Sequence, residues 1–289
     1  MPPDLRAAQR DHSTAFINDL PFHPQEQYQC GPAALATVLG GSGLRIAPEE
    51  LVSEVYVPDR QGSFQLELTA SARRHGRLAY PLAGGLHALL RELDAGHAVL
   101  VLQNLGLSWY PRWHYAVARG YDLDSQELIL NSGRLENYRV KLATFERTWQ
   151  RAGHWGLLVL APTQLPATAE AAAYFAAIAP QLSGASASDD ATQEQLLETG
   201  LARWPAQLEL LMARGNQLYA QGQLAEALAR FETAARLHPD YPYAWNNQAV
   251  VAAQLGRGEQ ARAAIGKARQ LAPADDPVVS ATWRELGFE

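Results

Sequence analysis

The stretch Gln25-Glu26-Gln27-Tyr28-Gln29-Cys30-Gly31-Pro32-Ala33-Ala34-Leu35-Ala36-Thr37-Val38-Leu39 holds the only cysteine among 289 residues. Pro32 suits the first turn of a helix, where a missing N–H costs nothing. The apolar run from Pro32 to Leu39 favours helix, and Gly40-Gly41 stops it. Cys30 then sits at the positive end of the helix dipole, where a thiolate is stabilised. Gly31 lets other backbone approach closely. This placement fits a nucleophile, although a buried, inert cysteine fits the same residues.

Outward from Cys30 the pattern stays helical for some distance. Glu49 to Val55, Leu66 to Arg74 and Leu86 to Leu93 space their apolar residues as helices do, and Gly96 is a plausible cap. The period then shortens. Ala98 to Leu102, His114 to Tyr121, Glu127 to Leu130, Asn137 to Leu142 and Trp155 to Leu160 read as strands. The turn-like Asp122-Leu123-Asp124-Ser125 separates two of them. Helices followed by antiparallel strands indicate an α+β domain.

Beyond it, residues 163–190 read as a helix, PATAEAAAYFAAIAP, followed by a small, polar linker, QLSGASASDD. From about residue 191 the chain repeats itself. Gly222, Ala227, Phe231, Ala234 and Pro239 return 34 positions later as Gly256, Ala261, Ile265, Ala268 and Pro273. That period, with small residues where two helices cross, resembles the tetratricopeptide repeat, here at about 208–241 and 242–275. Trp245 stands at the aromatic position of the second repeat and Leu211 at that of the first. Two repeats bury little surface alone, so flanking helices are expected at 193–203 and 278–286.

Composition narrows the function. With 24 basic residues against 30 acidic, the chain lacks the charge for a sequence-independent grip on nucleic acid. A single cysteine excludes an internal disulfide and any multi-thiolate metal site, and no HExxH pair appears, so no metal or other cofactor is expected. No apolar run reaches the roughly 18 residues of a membrane-spanning helix. The opening MPPDLRAAQRDHSTAF has no apolar signal segment. The expected location is the cytoplasm, or the periplasm or a lipid anchor if a signal segment has been removed.

Two further residues give Cys30 company. Trp113-His114-Tyr115-Ala116-Val117 opens a strand, which puts His114 at its edge. Asn131 follows the apolar Glu127 to Leu130 and precedes Ser132-Gly133. An amide there could hold one imidazole nitrogen and fix the tautomer of the ring. Between the strands, Asn104 to Trp113 is rich in aromatics. Trp109, Tyr110 and Trp113 either line a substrate groove or cover the edge of the core.

The segments QEQYQCGPAALATVL, WHYAVARGYD and ELILNSG together resemble the bacteriocin-processing, double-glycine type of papain-like cysteine peptidase. The resemblance covers about 20–162, with 1–19 as an N-terminal extension, and is nearest to stand-alone bacterial members with a tetratricopeptide tail. It implies a papain-like α+β fold followed by an all-α repeat domain at 191–289. It also implies Cys30 as nucleophile, His114 as general base and acid, Asn131 as the group orienting His114, and Gln25 as oxyanion donor. Where the family often has aspartate and proline, this chain has Asn131-Ser132. Its glutamine lies six positions before the cysteine in many members; Pro24 occupies that position here, leaving Gln25, with Gln27 as a rival. The implied activity is hydrolysis of a peptide bond in a peptide or protein substrate, with the repeats binding a protein partner. A catalytically silent peptide-binding scaffold and an acyltransferase using the same three residues are the alternatives.

Overall fold

The computed structural model describes residues 13–24, 30–57, 62–183 and 188–287. The chain divides into two compact units, Met1–Thr192 and Gln193–Glu289.

The first unit is built on a seven-stranded sheet with the order β4–β9–β5–β6–β7–β8, and β1 paired to β6 outside that path. Its strands are β1 (Thr14–Phe16), β4 (Leu78–Pro81), β5 (Val99–Asn104), β6 (Trp113–Asp122), β7 (Glu127–Ser132), β8 (Leu135–Lys141) and β9 (Gly156–Leu160), while β2 (Tyr56–Val57) and β3 (Gly62–Ser63) form a separate ribbon. The helices of this unit are α1 (Cys30–Gly41), α2 (Pro48–Val55), α3 (Gln65–Arg74), α4 (Gly85–Asp94), α5 (Leu142–Gln150) and α6 (Ala171–Leu182).

The core explains why α1 is so apolar. Gly31 to Leu39 are all buried. Ala34, Leu35, Val38 and Leu39 pack with Leu51 and Val55 of α2, Leu68 and Ala72 of α3, and Leu100, Leu102, Tyr115, Val117, Leu157 and Val159 of the sheet. A helix apolar all round is a buried helix, and its first residue, Cys30, is carried with it to the margin of the core.

The ten residues of β6 are shared among three neighbours. β5 pairs with Trp113 to Ala118, β1 with Gly120 to Asp122, and β7 with Val117 to Asp122. On the β7 side, Trp113 to Ala116 lie beyond the paired residues. His114 belongs to that stretch.

Several expectations shift by a residue or two at element ends, where fraying and capping decide the boundary. Larger differences have causes. Residues 14–16, expected in an N-terminal extension, are drawn into the sheet as β1. Leu142, expected to end a strand, begins α5, because its buried side chain starts the apolar stripe completed by Phe145 and Trp149. Asn131 lies inside β7 rather than after it. In the polar segment 181–190, residues 184–187 lie outside the described residues.

The second unit is helical, with α7 (Asp190–Arg203) entering it, then α8 (Leu208–Ala220), α9 (Leu224–Leu237), α10 (Pro242–Gln254), α11 (Gly258–Leu271) and α12 (Pro277–Glu285). The 34-residue period is structural. Gly222 and Gly256 both turn the chain with positive φ, 74° and 73°. Ala227, Phe231 and Ala234, and their counterparts Ala261, Ile265 and Ala268, are all buried. One further pair belongs to the pattern: Gly215 and the buried Ala249 occupy equivalent places. A Cβ on Gly215 would come within 2.5 Å of the Phe231 ring, so α8 and α9 touch through the missing side chain.

Candidate active site

Cys30 is the first residue of α1, half-buried and unoxidised. The first backbone N–H groups of a helix have no partners within it, and here those of Cys30 and Gly31 are directed at the sulfur, together with that of Tyr115 from β6. All three favour the thiolate. Burial works against them more strongly and raises the thiol above its ordinary range.

Ser63 of β3 lies over this end of α1, and a Cβ on Gly31 would be 2.1 Å from its Oγ. The Tyr115 hydroxyl donates to the Ser63 carbonyl at 3.1 Å. The Tyr115 ring packs edge-on against Trp155, with centroids 5.8 Å apart. Tyr115 thus ties β6 to β3, while its own N–H points at the sulfur.

His114 precedes Tyr115 and is in register with Gln103 of β5. Burial lowers its pKa from the ordinary value, and the Arg112 cation two residues away lowers it further. Both shifts point the same way: at neutral pH the resting site holds a thiol and a neutral imidazole. The ring Nε2 bonds to Ser132 Oγ at 2.8 Å. No hydrogen bond joins the ring to the Cys30 sulfur. In a ligand-free site such bonds often form only on substrate binding.

Asn131 has other partners. Its Oδ1 accepts from Arg119 Nη1 and from the Asn137 N–H, both at 3.3 Å. Its Nδ2 is buried and unpaired among the described residues. Successive strand residues point to opposite faces, so Asn131 and Ser132 cannot both face His114. Asn131 is in register with Val117, which lies in the core cluster and, three residues along β6, faces away from the side of His114. The expectation that Asn131 contacts His114 therefore meets a different arrangement, with Ser132 in contact. From the sequence alone the two neighbours are indistinguishable, because the parity of β7 depends on its register.

Gln25 and Gln27, the expected oxyanion donors, lie outside the described residues. Between β5 and β6 the buried Asn104 holds the turn: its Oδ1 accepts from the N–H groups of Gly106 and Arg112, each at 2.9 Å. The Arg151 guanidinium donates to the carbonyl of Gly106. This buttressed loop leaves Trp109, Tyr110 and Trp113 exposed, at 81, 68 and 56%. They do not cover the core. Among the described residues no cluster of His, Cys, Asp and Glu could hold a metal, and no helix is long and apolar enough to cross a membrane.

Residues 17–156 match the Peptidase_C39 like family, and residues 212–276 match the tetratricopeptide repeat. Comparison with curated proteins yields no match. Among solved structures, the chain is similar to a C39-like peptidase from Bacillus anthracis, with 17% identity over 52% of this chain and 98% of that one, and a TM-score of 0.45. It is also similar to the peptidase domain of Streptococcus ComA, a bi-functional ABC transporter involved in quorum sensing, with 18% identity over 50% of this chain and 99% of that domain, and a TM-score of 0.41. A third is a double glycine motif protease from an AMS/PCAT transporter in complex with the leader peptide, with 21% identity over 50% of this chain and 92% of that one, and a TM-score of 0.39. The chain thus carries a region of mixed sheet and helix that matches the Peptidase_C39 like family, followed by a helical region that matches the tetratricopeptide repeat.

Proposed function

We propose that the protein is a cysteine peptidase in which Cys30 attacks a peptide carbonyl and His114 moves the protons. One observation carries this reading: the sulfur, at the first turn of α1, faces the N–H of Tyr115, the residue next to His114. The imidazole takes the thiol proton as sulfur bonds to the carbonyl carbon. Gln25 and the Cys30 N–H steady the resulting oxyanion. The tetrahedral adduct collapses, the amine leaves with the proton from His114, and an acyl-thioester remains. Water, deprotonated by the same ring, releases the acid and restores the thiol.

Because the resting pair is neutral, His114 acts as a true base at the moment of attack rather than as half of a standing ion pair. The exposed Trp109, in the loop before β6, and Trp113, which precedes His114 in the strand, contact the substrate in this reading. The repeats bind a protein, either the substrate or a partner that presents it. The peptidase domain takes in β1 and runs from about 14 to 162, followed by a connecting helical segment and the repeat domain from about 191.

The test uses the chain's single thiol. Alkylation by iodoacetamide at neutral pH, followed by mass, reports on Cys30 alone. Expected is a rate that falls on His114→Ala, because the ring takes the thiol proton as sulfur bonds to the reagent. Equal rates in the two proteins would leave the peptide-binding scaffold as the better account. With His114-dependent alkylation established, turnover of a peptide library with and without an added amine separates hydrolysis from acyl transfer.

A further inference from the structure

Among the residues at the site, Ser132 was not anticipated, and its position is specific. We propose that Ser132, not Asn131, is the positioning residue for His114, so that a neutral hydroxyl stands where a carboxylate or amide was expected. This inference rests on the reading of Cys30 and His114 as nucleophile and base.

Three observations converge. Ser132 Oγ lies 2.8 Å from His114 Nε2. When Nε2 carries the ring proton and donates it to Oγ, the lone pair of Nδ1 is left free to receive the thiol proton. Nδ1 has no hydrogen-bond partner among the described residues, as a waiting base requires. Asn131, for its part, is committed elsewhere. Its oxygen is taken by Arg119 and Asn137, and Arg119 is itself pinned by the carbonyls of Ile17 and Asn18 and by Glu136. Turning Asn131 toward His114 would require β7 to slip by one residue, which would reverse every side chain on the strand.

The chemical consequence concerns charge. A carboxylate would stabilise the imidazolium by Coulomb attraction, whereas a hydroxyl supplies only a dipole. Arg112 is the charged group that bears on His114, and it opposes protonation. No carboxylate among the described residues bonds the ring. Ser132 therefore sets tautomer and orientation without raising basicity, in keeping with the neutral resting pair.

The experiment compares Ser132→Thr, which keeps the hydroxyl, with Ser132→Val, which has the same shape without it; both suit a strand. Asn131→Ala is the control. Iodoacetamide alkylation of Cys30 is followed from pH 5 to 9. The threonine variant is expected to keep the wild-type profile. The valine variant should lose roughly tenfold or more in rate at neutral pH, with the His114-dependent inflection displaced. Asn131→Ala is expected to lower the unfolding temperature and leave the profile in place. In the wild-type protein, the nitrogen shifts of the His114 ring should show the tautomer protonated at Nε2, a readout needing no substitution. A ring protonated at Nδ1, or a profile lost in Asn131→Ala and kept in Ser132→Val, would overturn the assignment of Ser132. A rate indifferent to His114→Ala would instead sink the nucleophile–base reading beneath it.

Discussion

Gly31 and Ser63 are packed so closely that a side chain on the glycine would overlap the serine: its Cβ would stand 2.1 Å from Oγ and 2.5 Å from Cβ of Ser63. Oγ could turn away, but Cβ is fixed to the backbone, and the Ser63 carbonyl is held by Tyr115. The close approach is therefore fixed from both sides.

Gly31→Ala should lift β3 from α1 at a cost of about 1–3 kcal/mol, the usual range for overpacking. Because the same contact sets the start of α1, Cys30 alkylation should slow along with the loss of stability. Chemical unfolding and labelling of one sample check both. Full stability in the variant would show that β3 yields more readily than its contacts imply.

The Glu92 side chain is fully buried on α4. It accepts from His97 Nδ1 at 2.8 Å, from the Thr168 N–H at 2.7 Å and hydroxyl at 2.5 Å, and from the Ala167 N–H at 3.0 Å. Burial alone would raise its pKa, but these donors together outweigh burial and hold it below the ordinary carboxylate range. A depressed folded-state pKa stabilises the fold above the unfolded value of about 4.3. That contribution is lost as pH falls through the lower, folded value. Glu92→Gln should therefore cost about 1–3 kcal/mol at pH 7. The gap to wild type should close as the pH is taken below about 4, and denaturant titrations at several pH values measure it. A gap that widened in acid would mean that the fold holds the Glu92 carboxyl above its ordinary range instead of below it.

In the repeat region, Gly215→Ala should force the Phe231 ring aside, since the added carbon would meet three of its atoms at 2.5, 2.8 and 2.9 Å. The expected loss is about 1–3 kcal/mol. It should come with little change in Cys30 alkylation, because the substitution lies in the second compact unit. Circular dichroism melting paired with labelling tests both halves of this expectation.

Trp109→Ala and Trp113→Ala remove exposed rings, so stability should change by less than about 0.5 kcal/mol. If these rings hold substrate, kcat/KM on a peptide should fall roughly tenfold for each, while iodoacetamide, which uses no such contact, should react as before. Equal losses with both reagents would mean that the rings shape the site rather than bind at it.

Much of this architecture could be read in advance from physical pattern. The uninterrupted apolar character of α1 announced a buried helix, the shortened period after Ala98 announced the sheet, and the 34-residue echo located the paired helices. What could not be read was parity and partnership. Whether Asn131 or Ser132 faces His114 depends on the register of β7 against β6, and nothing local distinguishes the two neighbours. β1 was invisible for a similar reason: three residues of no marked pattern become a strand because β6 extends past the end of β5 and leaves an edge to be paired. The pairing of Leu142 with Phe145 and Trp149 was a matter of ambiguity, since an apolar residue at a strand end can equally open the next helix.

Arg119 sets a practical limit on trimming the protein. The residue is 2% exposed, and its guanidinium is capped by the carbonyl oxygens of Ile17 and Asn18 and lies 4.7 Å from the centre of the Phe16 ring. Cutting the chain back past Asn18 would strip those caps and leave the buried cation to Glu136 and the Asn131 oxygen alone, on the same strand that bears His114. A fragment begun at the motif around Cys30 would keep the proposed nucleophile and lose these caps on β6.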